Sequence, residues 1–576
     1  MKRPDIGRIR PSQLVTTFGP GAIVDLRHDS AIVTAIDYWP EGREIQERFL
    51  QERLEVASFQ TPKCEGGGLD VPVVPFPDKH VCPSCRRIVD LSRMPAKIRA
   101  KRGPMCTSPK CRNVRTYPAR LITVCPKGHI DDFPWSWWVH KGKDCSASDD
   151  PILTLTSSGS AATLSDLRVR CQSCGAHRSL SGALGKDGLR GWKCSGRRPW
   201  VPDEPNEDCT LLGGEDGPRG SLRGATNLYF SSVVSQLSIP PFSDPIEKAL
   251  DAHWKTLSVL EDNPEIYRQV ARSVLQAKYS FDADEIDTAI EQRLSGFKAP
   301  TNYRHEEYNA LRTPPKGMLQ GDFRTRPGDI PDGFHLGNLV LVEKLREVRA
   351  LAGFSRIDAP DPDRPEIATL KPWVEKTSWV PGTELFGEGL FLQVDEERLG
   401  AWEKNQHVLD RVGMLLARDE KRREERGWTV VKRRPGFVML HTLAHVLINV
   451  LSLECGYSSA SLKERVYAEP GQNGILIYTG TVDSDGSLGG LLRQGAPDRL
   501  PGLLQRAIDH ATLCSGDPLC RERAPEKLKD TLNGVACHAC VLVSETSCEH
   551  RNHLLDRATL VDLPGVDMPG FFSDSF

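Results

Sequence analysis

Cysteine spacing is the feature that most constrains what this chain can fold into. The 576-residue sequence has 17 cysteines, and most of them lie in CxxC pairs or within metal-ligand distance of one. No apolar segment of signal-peptide length opens the chain, and no run of about 18 uninterrupted apolar residues occurs, so we expect a cytoplasmic protein that does not engage a membrane. Because cytosolic thiols stay reduced, clustered cysteines there are metal ligands more often than disulfide halves. The spacing therefore predicts bound zinc.

Two sets of four cysteines have the spacing of zinc ribbons. Two thiolate pairs on two turns satisfy the tetrahedral coordination that Zn²⁺ prefers. Four protein ligands also leave no open position for water or substrate, so we expect structural rather than catalytic zinc, whose chelation unfolds residues 80–210. The two predicted sets are Cys82, Cys85, Cys106 and Cys111, and Cys171, Cys174, Cys194 and Cys209.

Further candidate ligands lie between these sets and near the end of the chain. Between them, Cys125, His129, His140 and Cys145 form a plausible Cys₂His₂ set. Near the end, five cysteines are available for four positions: Cys514, Cys520, Cys537, Cys540 and, as the reserve ligand, Cys548. The sequence thus predicts about three to four structural zinc sites. The isolated Cys64 and Cys455 are expected to be buried thiols.

A basic stretch runs through the first predicted ribbon. Residues 86–120 contain eleven lysines and arginines against one acid, Asp90. Such a stretch either binds nucleic-acid phosphates without reading sequence or forms a solvated face of the zinc module. The candidate phosphate-contacting residues are Arg86, Arg87, Arg99, Lys101, Arg102, Arg112 and Arg115.

Three tryptophans, Trp135, Trp137 and Trp138, follow the mixed Cys/His motif. Exposed tryptophans beside cations can stack on nucleobases. Small zinc modules, however, need every apolar contact they can make, so we favour a hydrophobic plug.

Composition and pattern predict a multidomain α+β fold with several zinc-ribbon-like modules and a mixed α/β C-terminal domain. The formal net charge of −2 argues against a protein coated in nucleic acid but leaves room for local basic stretches. Strands are expected over 226–239, 337–349 and 474–479, and helices over 244–295, 403–426 and 437–453. The predicted segments are an N-terminal α/β segment (1–80), a zinc-binding region with two or three Cys/His modules (81–210), a mixed α/β and helical middle (211–430) and a C-terminal zinc-bearing domain (431–576).

The predicted helix over 437–453 carries a polar stripe on an otherwise apolar surface. His441, His445, Asn449 and Ser452 recur at helical spacing on one face. The stripe is either a metal or substrate face or an internal hydrogen-bond network. Thr442 stands where a zinc peptidase of this His spacing needs a glutamate, so we expect no peptidase activity.

A glycine pair, Gly489-Gly490, opens the next predicted helix. Glycines at a helix N-terminus can hold a phosphate, although tight turns are the commoner use.

Several motifs together resemble the DrmB family, the helicase-associated subunits of DISARM anti-phage systems. The resemblance spans the whole chain, and the C-terminal third resembles a zinc-bearing domain that occurs fused to, or encoded beside, DNA helicases. It is carried by residues 10–22, 128–135 and 485–491, the His441/His445 helix and residues 536–540.

The resemblance implies a non-catalytic accessory subunit of a bacterial antiviral-defence complex. Such a subunit would form a heterodimer with the helicase of the same system, reach DNA through that complex and help engage or gate it. The sequence lacks a G-x-x-x-x-G-K-[ST] phosphate loop, so ATPase and helicase activity is expected from the partner. The alternative is a metal-dependent nuclease or hydrolase acting on phage DNA, with Mg²⁺ or Mn²⁺ held by His441, His445, Glu464, Asp483 and Asp485.

Overall fold

The chain folds into two compact units. One comprises Met1–Val234 and Arg349–Thr383, and the other Ser235–Val348 and Glu384–Phe576. The predicted middle segment, 211–430, is therefore divided between them. A computed structural model describes residues 9–26, 29–62, 64–65, 68–69, 71–92, 94, 99, 103–111, 114–157, 163–240, 243, 245–260, 262–279, 281–294, 302–313, 321–480, 489–523 and 532–573. The predicted α+β class with several Cys/His modules is confirmed.

The first unit consists of short strands and short helices. Its helices are α1 (Pro11–Thr16), α2 (Arg48–Leu54) and α3 (Trp135–Val139). Its strands are β1 (Ile23–Asp25), β2 (Ser30–Val33), β3 (Gly42–Ile45), β4 (Ser58–Pro62), β5 (Cys64–Glu65), β6 (Gly68–Leu69), β7 (Val73–Pro75), β8 (Lys79–Val81), β9 (Ile88–Asp90), β10 (Tyr117–Pro118), β11 (Leu121–Val124), β12 (Ile130–Asp132), β13 (Leu153–Ser157), β14 (Leu167–Cys171), β15 (His177–Ser179) and β16 (Arg219–Leu222). Four three-stranded sheets have the orders β1-β2-β7, β10-β8-β9, β12-β11-β16 and β13-β14-β15.

The tryptophans of α3 form the predicted hydrophobic plug. Trp135 and Trp138 are 3% and 1% exposed and pack around Phe133 in a core shared with β14. The indole of Trp138 donates to the carbonyl oxygen of Ser179 at 3.1 Å, which satisfies its polar atom. Trp137 is partly buried against the same core. The plug interpretation is confirmed, and base stacking by Trp135 and Trp138 is excluded by their burial.

The second unit combines long strands with longer helices. Its helices are α4 (Pro245–Ala252), α5 (Trp254–Leu257), α6 (Pro264–Lys278), α7 (Ala283–Leu294), α8 (Tyr303–Arg312), α9 (Glu396–Glu403), α10 (Gln406–Glu425), α11 (Pro435–Cys455) and α12 (Leu500–Thr512). Its strands are β17 (Phe230–Leu237), β18 (Arg324–Pro327), β19 (Leu336–Ser355), β20 (Trp379–Val394), β21 (Leu462–Tyr467) and β22 (Gly474–Thr479). The main strand order is β17-β19-β20-β22-β21, and the chain passes between the units within β17, β19 and β20.

Most sequence-predicted elements are present with shifted ends. The strand over 474–479 has the predicted bounds, and the strand over 226–239 is limited to β17. The strand over 337–349 continues to Ser355 because an apolar segment, largely buried, follows Arg349. The predicted helices over 403–426 and 437–453 correspond to α10 and α11.

Helix α11 is the centre of the second unit's core. It begins with Pro435 in its first turn and ends at Cys455, and the following Gly456 has the φ of +68° that suits a glycine after a helix C-terminus. Its side chains are apolar nearly all round and pack against α12, β21 and β22. Among the described residues it alone is long and apolar enough to cross a membrane, but 83% of its most apolar window is buried within the protein.

Candidate metal centres

The described residues contain five groups of four potential ligands. In each group the ligand atoms lie within 4.8 Å of one another, and the groups include 15 of the 17 cysteines. A tetrahedral ion with Zn–S bonds of about 2.3 Å separates its sulfurs by about 3.8 Å. The shortest Sγ–Sγ distances in these groups lie between 3.4 and 4.0 Å, well beyond disulfide length. The donor sets and their spacing therefore fit Zn²⁺.

The Cys82 site consists of Cys82, Cys85, Cys106 and Cys111, the set predicted from spacing. Cys82 follows β8, and the chain turns back so that the amide of Arg86 donates to the carbonyl oxygen of Cys82 at 3.0 Å. Cys85 Sγ lies 3.8 Å from Cys106 Sγ. The turn between β8 and β9 thus supplies one ligand pair, and the segment before β10 supplies the other.

The Cys125 site consists of Cys125, His129, Cys194 and Cys209, all buried. Cys125 and His129 lie at the two ends of the tight turn that joins β11 to β12, and Val124 and Ile130 pair across it. His129 directs Nδ1 to Cys194 Sγ at 3.5 Å, while its Nε2 lies 2.7 Å from a carboxylate oxygen of Glu207. A carboxylate on the outer ring nitrogen fixes the orientation of a metal-binding histidine.

The His140 site consists of His140, Cys145, Cys171 and Cys174. His140 directly follows α3, and Cys171 is the last residue of β14. His140 Nδ1 donates to the Ser136 carbonyl oxygen at 2.8 Å, which leaves Nε2 facing Cys174 Sγ at 3.3 Å. This ring is therefore oriented for coordination by a backbone acceptor rather than by a carboxylate.

The predicted pairing of these eight residues is wrong. The spacing predicts one set from the four cysteines 171–209 and another from residues 125–145. In the structure Cys194 and Cys209 instead join Cys125 and His129, and Cys171 and Cys174 join His140 and Cys145. The amide of Ile130 donates to the carbonyl oxygen of Arg197 at 3.1 Å and brings the Cys194 segment to the β11–β12 turn. Packing of α3 on β14 brings His140 to Cys171. Tertiary packing, which spacing does not encode, selects the second ligand pair.

The Cys514 site consists of Cys514, Cys520, Cys537 and Cys540, the four cysteines preferred from sequence. Cys514 Sγ lies 3.4 Å from Cys537 Sγ, and Cys520 Sγ lies 3.8 Å from Cys540 Sγ. Asp517, within the first ligand pair, forms a 2.6 Å ion pair with the buried Arg557. That pair fixes the first ligand loop to the C-terminal part of the unit.

Cys548, the reserve ligand, lies elsewhere, in a fifth group with His441, His445 and Glu464. The sequence predicts a polar stripe on α11 for the two histidines, as either a metal or substrate face or a hydrogen-bond network, and groups them with Glu464 only in the alternative nuclease site. The four-residue spacing of the two histidines is the sequence signal for this group. No pattern around Glu464, on β21, indicates that it lies beside them.

Crowded thiols perturb one another's protonation. Burial raises the pKa of Cys106 to about 12, and burial also raises the pKa of Cys520 to about 12. A hydrogen bond with Cys125 leads the causes that lower the pKa of Cys194 to about 4. Although burial opposes it, the pKa of Cys171 falls to about 6 because the Cys174 amide and His140 stabilise its thiolate. A bound cation would offset the repulsion between thiolates that lie this close together.

The basic stretch is only partly on the surface. Arg86 and Arg115 are exposed, and Arg87 is half-buried. Arg99 is 3% exposed and donates to Asp29 at 2.7 Å, so its proposed contact with phosphate is wrong. Its charge is used inside the fold. Three candidates lie outside the described residues: Lys101, Arg102 and Arg112.

The glycine pair at Gly489-Gly490 faces an internal anion. The carboxylate of Glu388, on β20, accepts hydrogen bonds from the amides of Gly489 and Leu491, the latter at 2.6 Å. Glu388 is fully buried. A protein carboxylate therefore takes the position that the sequence offered to a phosphate.

Comparison with known proteins agrees with these features. Residues 10–230 match a family described as a domain of unknown function, DUF8724, and this range contains the Cys82, Cys125 and His140 sites. Residues 443–541 match the MrfA Zn-binding domain, which contains the Cys514 site and ends before Cys548. The match and the Cys/His clusters together indicate zinc.

A full-length relative is also found. The chain is 32% identical over 565 residues to a DISARM protein DrmB from Bacillus paralicheniformis, covering 93% of this chain and 97% of the relative. The relative and this chain thus correspond along nearly their entire lengths, as the motif resemblance implied. The chain belongs to the DrmB family of DISARM proteins.

Proposed function

We propose that this protein is a non-catalytic accessory subunit of a DISARM-like anti-phage complex in the cytoplasm. In this proposal it binds the helicase subunit of the same defence system as a heterodimer and helps that complex engage or gate DNA. The observation that carries the proposal is the near full-length similarity to a DISARM protein DrmB.

The metal centres support a structural role for zinc. The Cys82, Cys125, His140 and Cys514 sites each present four protein ligands. A tetrahedral zinc ion with four protein ligands has no position left for water or substrate. The zinc ions would then hold the ligand loops together. The first unit needs such links because its strands are mostly two to five residues long.

The alternative, a metal-dependent nuclease, finds little support in the same region. His441, His445 and Glu464 are each at most 1% exposed, so a phosphodiester could not reach them. The other residues of that hypothesis, Asp483 and Asp485, lie outside the described residues. A hydrolytic metal site needs an accessible position for water and substrate.

DNA contact is proposed for the exposed part of the basic stretch. Arg86 projects from the turn that carries Cys82 and Cys85, and Arg115 lies just beyond the second ligand pair of the same site. Lys110 and Arg120 are exposed as well. Arginines fixed beside a rigid zinc module can contact phosphates without reading base sequence.

The first experiment is co-expression with the helicase subunit of the same system. Size-exclusion chromatography is then run with and without labelled DNA that has a single-stranded end. We expect co-elution and an altered helicase ATPase or DNA affinity. Separate elution, or DNA cleavage by this chain alone with Mg²⁺ or Mn²⁺, would contradict the proposal.

The DNA contact is tested by the salt dependence of binding by the complex. Each lost phosphate contact lowers the slope of log affinity against log salt by about 0.9. Arg86→Ala with Arg115→Ala should thus reduce the slope by about 1.8. Arg190→Ala is the control, because Arg190 is exposed in the same unit but lies outside the basic stretch. Equal slopes for the double variant and the control would refute the assignment.

A further inference from the structure

We infer that His441, His445, Glu464 and Cys548 form a fifth metal site, which takes a divalent ion of intermediate softness such as Zn²⁺. The site joins α11 to β21 and to the segment after the Cys514 site. Two of its ligands, His441 and Cys548, lie outside the residues that match the MrfA Zn-binding domain. The inference does not depend on the proposed partner or on DNA binding.

A hydrogen bond of His445 directs its other ring nitrogen, Nε2, toward Glu464. His445 Nδ1 lies 3.1 Å from the carbonyl oxygen of Val541, so this nitrogen must carry the proton. In the neutral ring Nε2 is then a lone-pair donor, and it lies 3.2 Å from Glu464 Oε1. His441 Nε2 lies 3.0 Å from the same oxygen. A cation between these atoms would be bound by Nε2 of both histidines and by Glu464 Oε1.

Cys548 is held like the metal-binding cysteines of the other groups. Its Sγ accepts hydrogen bonds from the amides of His550 and Asn552, both at 3.3 Å. The same bond from the amide two residues further on is made to Cys106, Cys194 and Cys514, each a member of a Cys-rich site. Cys548 Sγ also lies 3.3 Å from His441 Nε2, close to the separation of about 3.6 Å for sulfur and nitrogen on one zinc ion.

Charge balance favours a dication at this depth. His441, His445 and Glu464 have side chains with no exposed surface, and Cys548 is 6% exposed. One carboxylate, one thiolate, two neutral imidazoles and one Zn²⁺ sum to zero. A neutral assembly avoids the cost of burying net charge.

The competing arrangement is a metal-free hydrogen-bond network in which one histidine is protonated. An added proton would satisfy Glu464 Oε1, but Glu464 Oε2 is buried and has no hydrogen-bond partner. In that network Cys548 is a thiol shared between His441 and Glu464, although its sulfur already accepts two amide hydrogens. Metal coordination, in contrast, gives a bonding partner to the Cys548 sulfur and to one or both Glu464 oxygens.

Metal analysis of the unmodified full chain tests the inference directly. An anomalous difference map from a crystal, recorded across the zinc edge, should show a peak enclosed by His441 Nε2, His445 Nε2, Glu464 and Cys548 Sγ. No peak at that position would overturn the inference, and this result needs no variant to fold.

A variant series provides the second test. By mass spectrometry of metals we expect five zinc equivalents per chain, and four for Cys548→Ala. Cys455→Ala is the matched control, because Cys455 lies outside the five groups, and it should retain five. Four equivalents in the parent, or no loss in Cys548→Ala, would overturn the fifth site. The zinc counts do not depend on whether the protein binds the helicase or DNA.

Discussion

Gly128 offers the sharpest test of how the Cys125 site is built into its unit. Its φ is +92°, and a Cβ there would lie 2.2 Å from Leu370 Cδ1. The Leu370 backbone is fixed by two 2.9 Å hydrogen bonds with Phe354, and its side chain packs against the surrounding core. Gly128→Ala therefore meets both a conformational and a packing penalty.

Gly175 provides a matched control in the neighbouring His140 site. It follows a ligand in a similar tight turn with φ of +80°, but a Cβ there would meet nothing within 4 Å. Left-handed backbone costs an alanine about 1–2 kcal/mol, and overpacking adds about 1–3 kcal/mol. We thus expect Gly128→Ala to cost about 2–5 kcal/mol and Gly175→Ala about 1–2 kcal/mol.

Hydrogen exchange measured by mass spectrometry reads these costs locally, without assuming that the whole chain unfolds in one step. Since about 1.4 kcal/mol is tenfold, amide protection around residues 121–133 should fall at least about 30-fold in Gly128→Ala. Protection around residues 167–179 should fall about 5- to 30-fold in Gly175→Ala. Equal losses in the two variants would refute the packing argument, and no loss in either would refute the conformational one.

Three further perturbations test buried charge, pH and metal. Arg465→Met leaves Glu307, its 2.8 Å partner, in the interior, so we expect the free energy of unfolding in urea to fall by about 3–5 kcal/mol. The control Arg506→Ala breaks an exposed ion pair and should lower it by about 0–1 kcal/mol. Equal losses in the two variants would contradict this prediction. Burial, followed by neighbouring carboxylates, raises the pKa of Asp132 from 3.8 to about 7, so the folded chain retains a proton that the unfolded chain releases. Stability should therefore fall as the pH rises from about 4 to about 7, and Asp132→Asn should flatten thermal midpoints across that window, whereas an unchanged slope would refute it. A zinc chelator should expose Trp138 and red-shift tryptophan emission; an unshifted spectrum after complete metal removal would disprove the structural role.

Local features of the fold were predictable from sequence because their causes are local. The turn carrying Cys82 and Cys85 and the turn carrying Cys537 and Cys540 each place two ligands on one turn, whatever the rest of the chain does. The strand over 474–479 is an apolar run bounded by turn residues, and its predicted ends match the structure.

Features that depend on distant packing were not predictable. The exchange of ligand pairs between the Cys125 and His140 sites follows from which segment lies beside β12 and which beside α3. Arg99 looked like part of a basic surface, yet Asp29, far away in sequence, draws it into the interior. Glu464 joins the histidines of α11 only because β21 packs on that helix.

The exchanged pairs also make two closed loops, one nested inside the other. Cys145 and Cys171 of the His140 site are separated by 26 positions, whereas His129 and Cys194 of the Cys125 site are separated by 65. Closing the longer loop costs about 0.8 kcal/mol more in chain entropy, and prior closure of the shorter loop reduces that cost. Metal capture should thus proceed from the inner loop outward during folding, and a chain short of zinc should open its outer loop first.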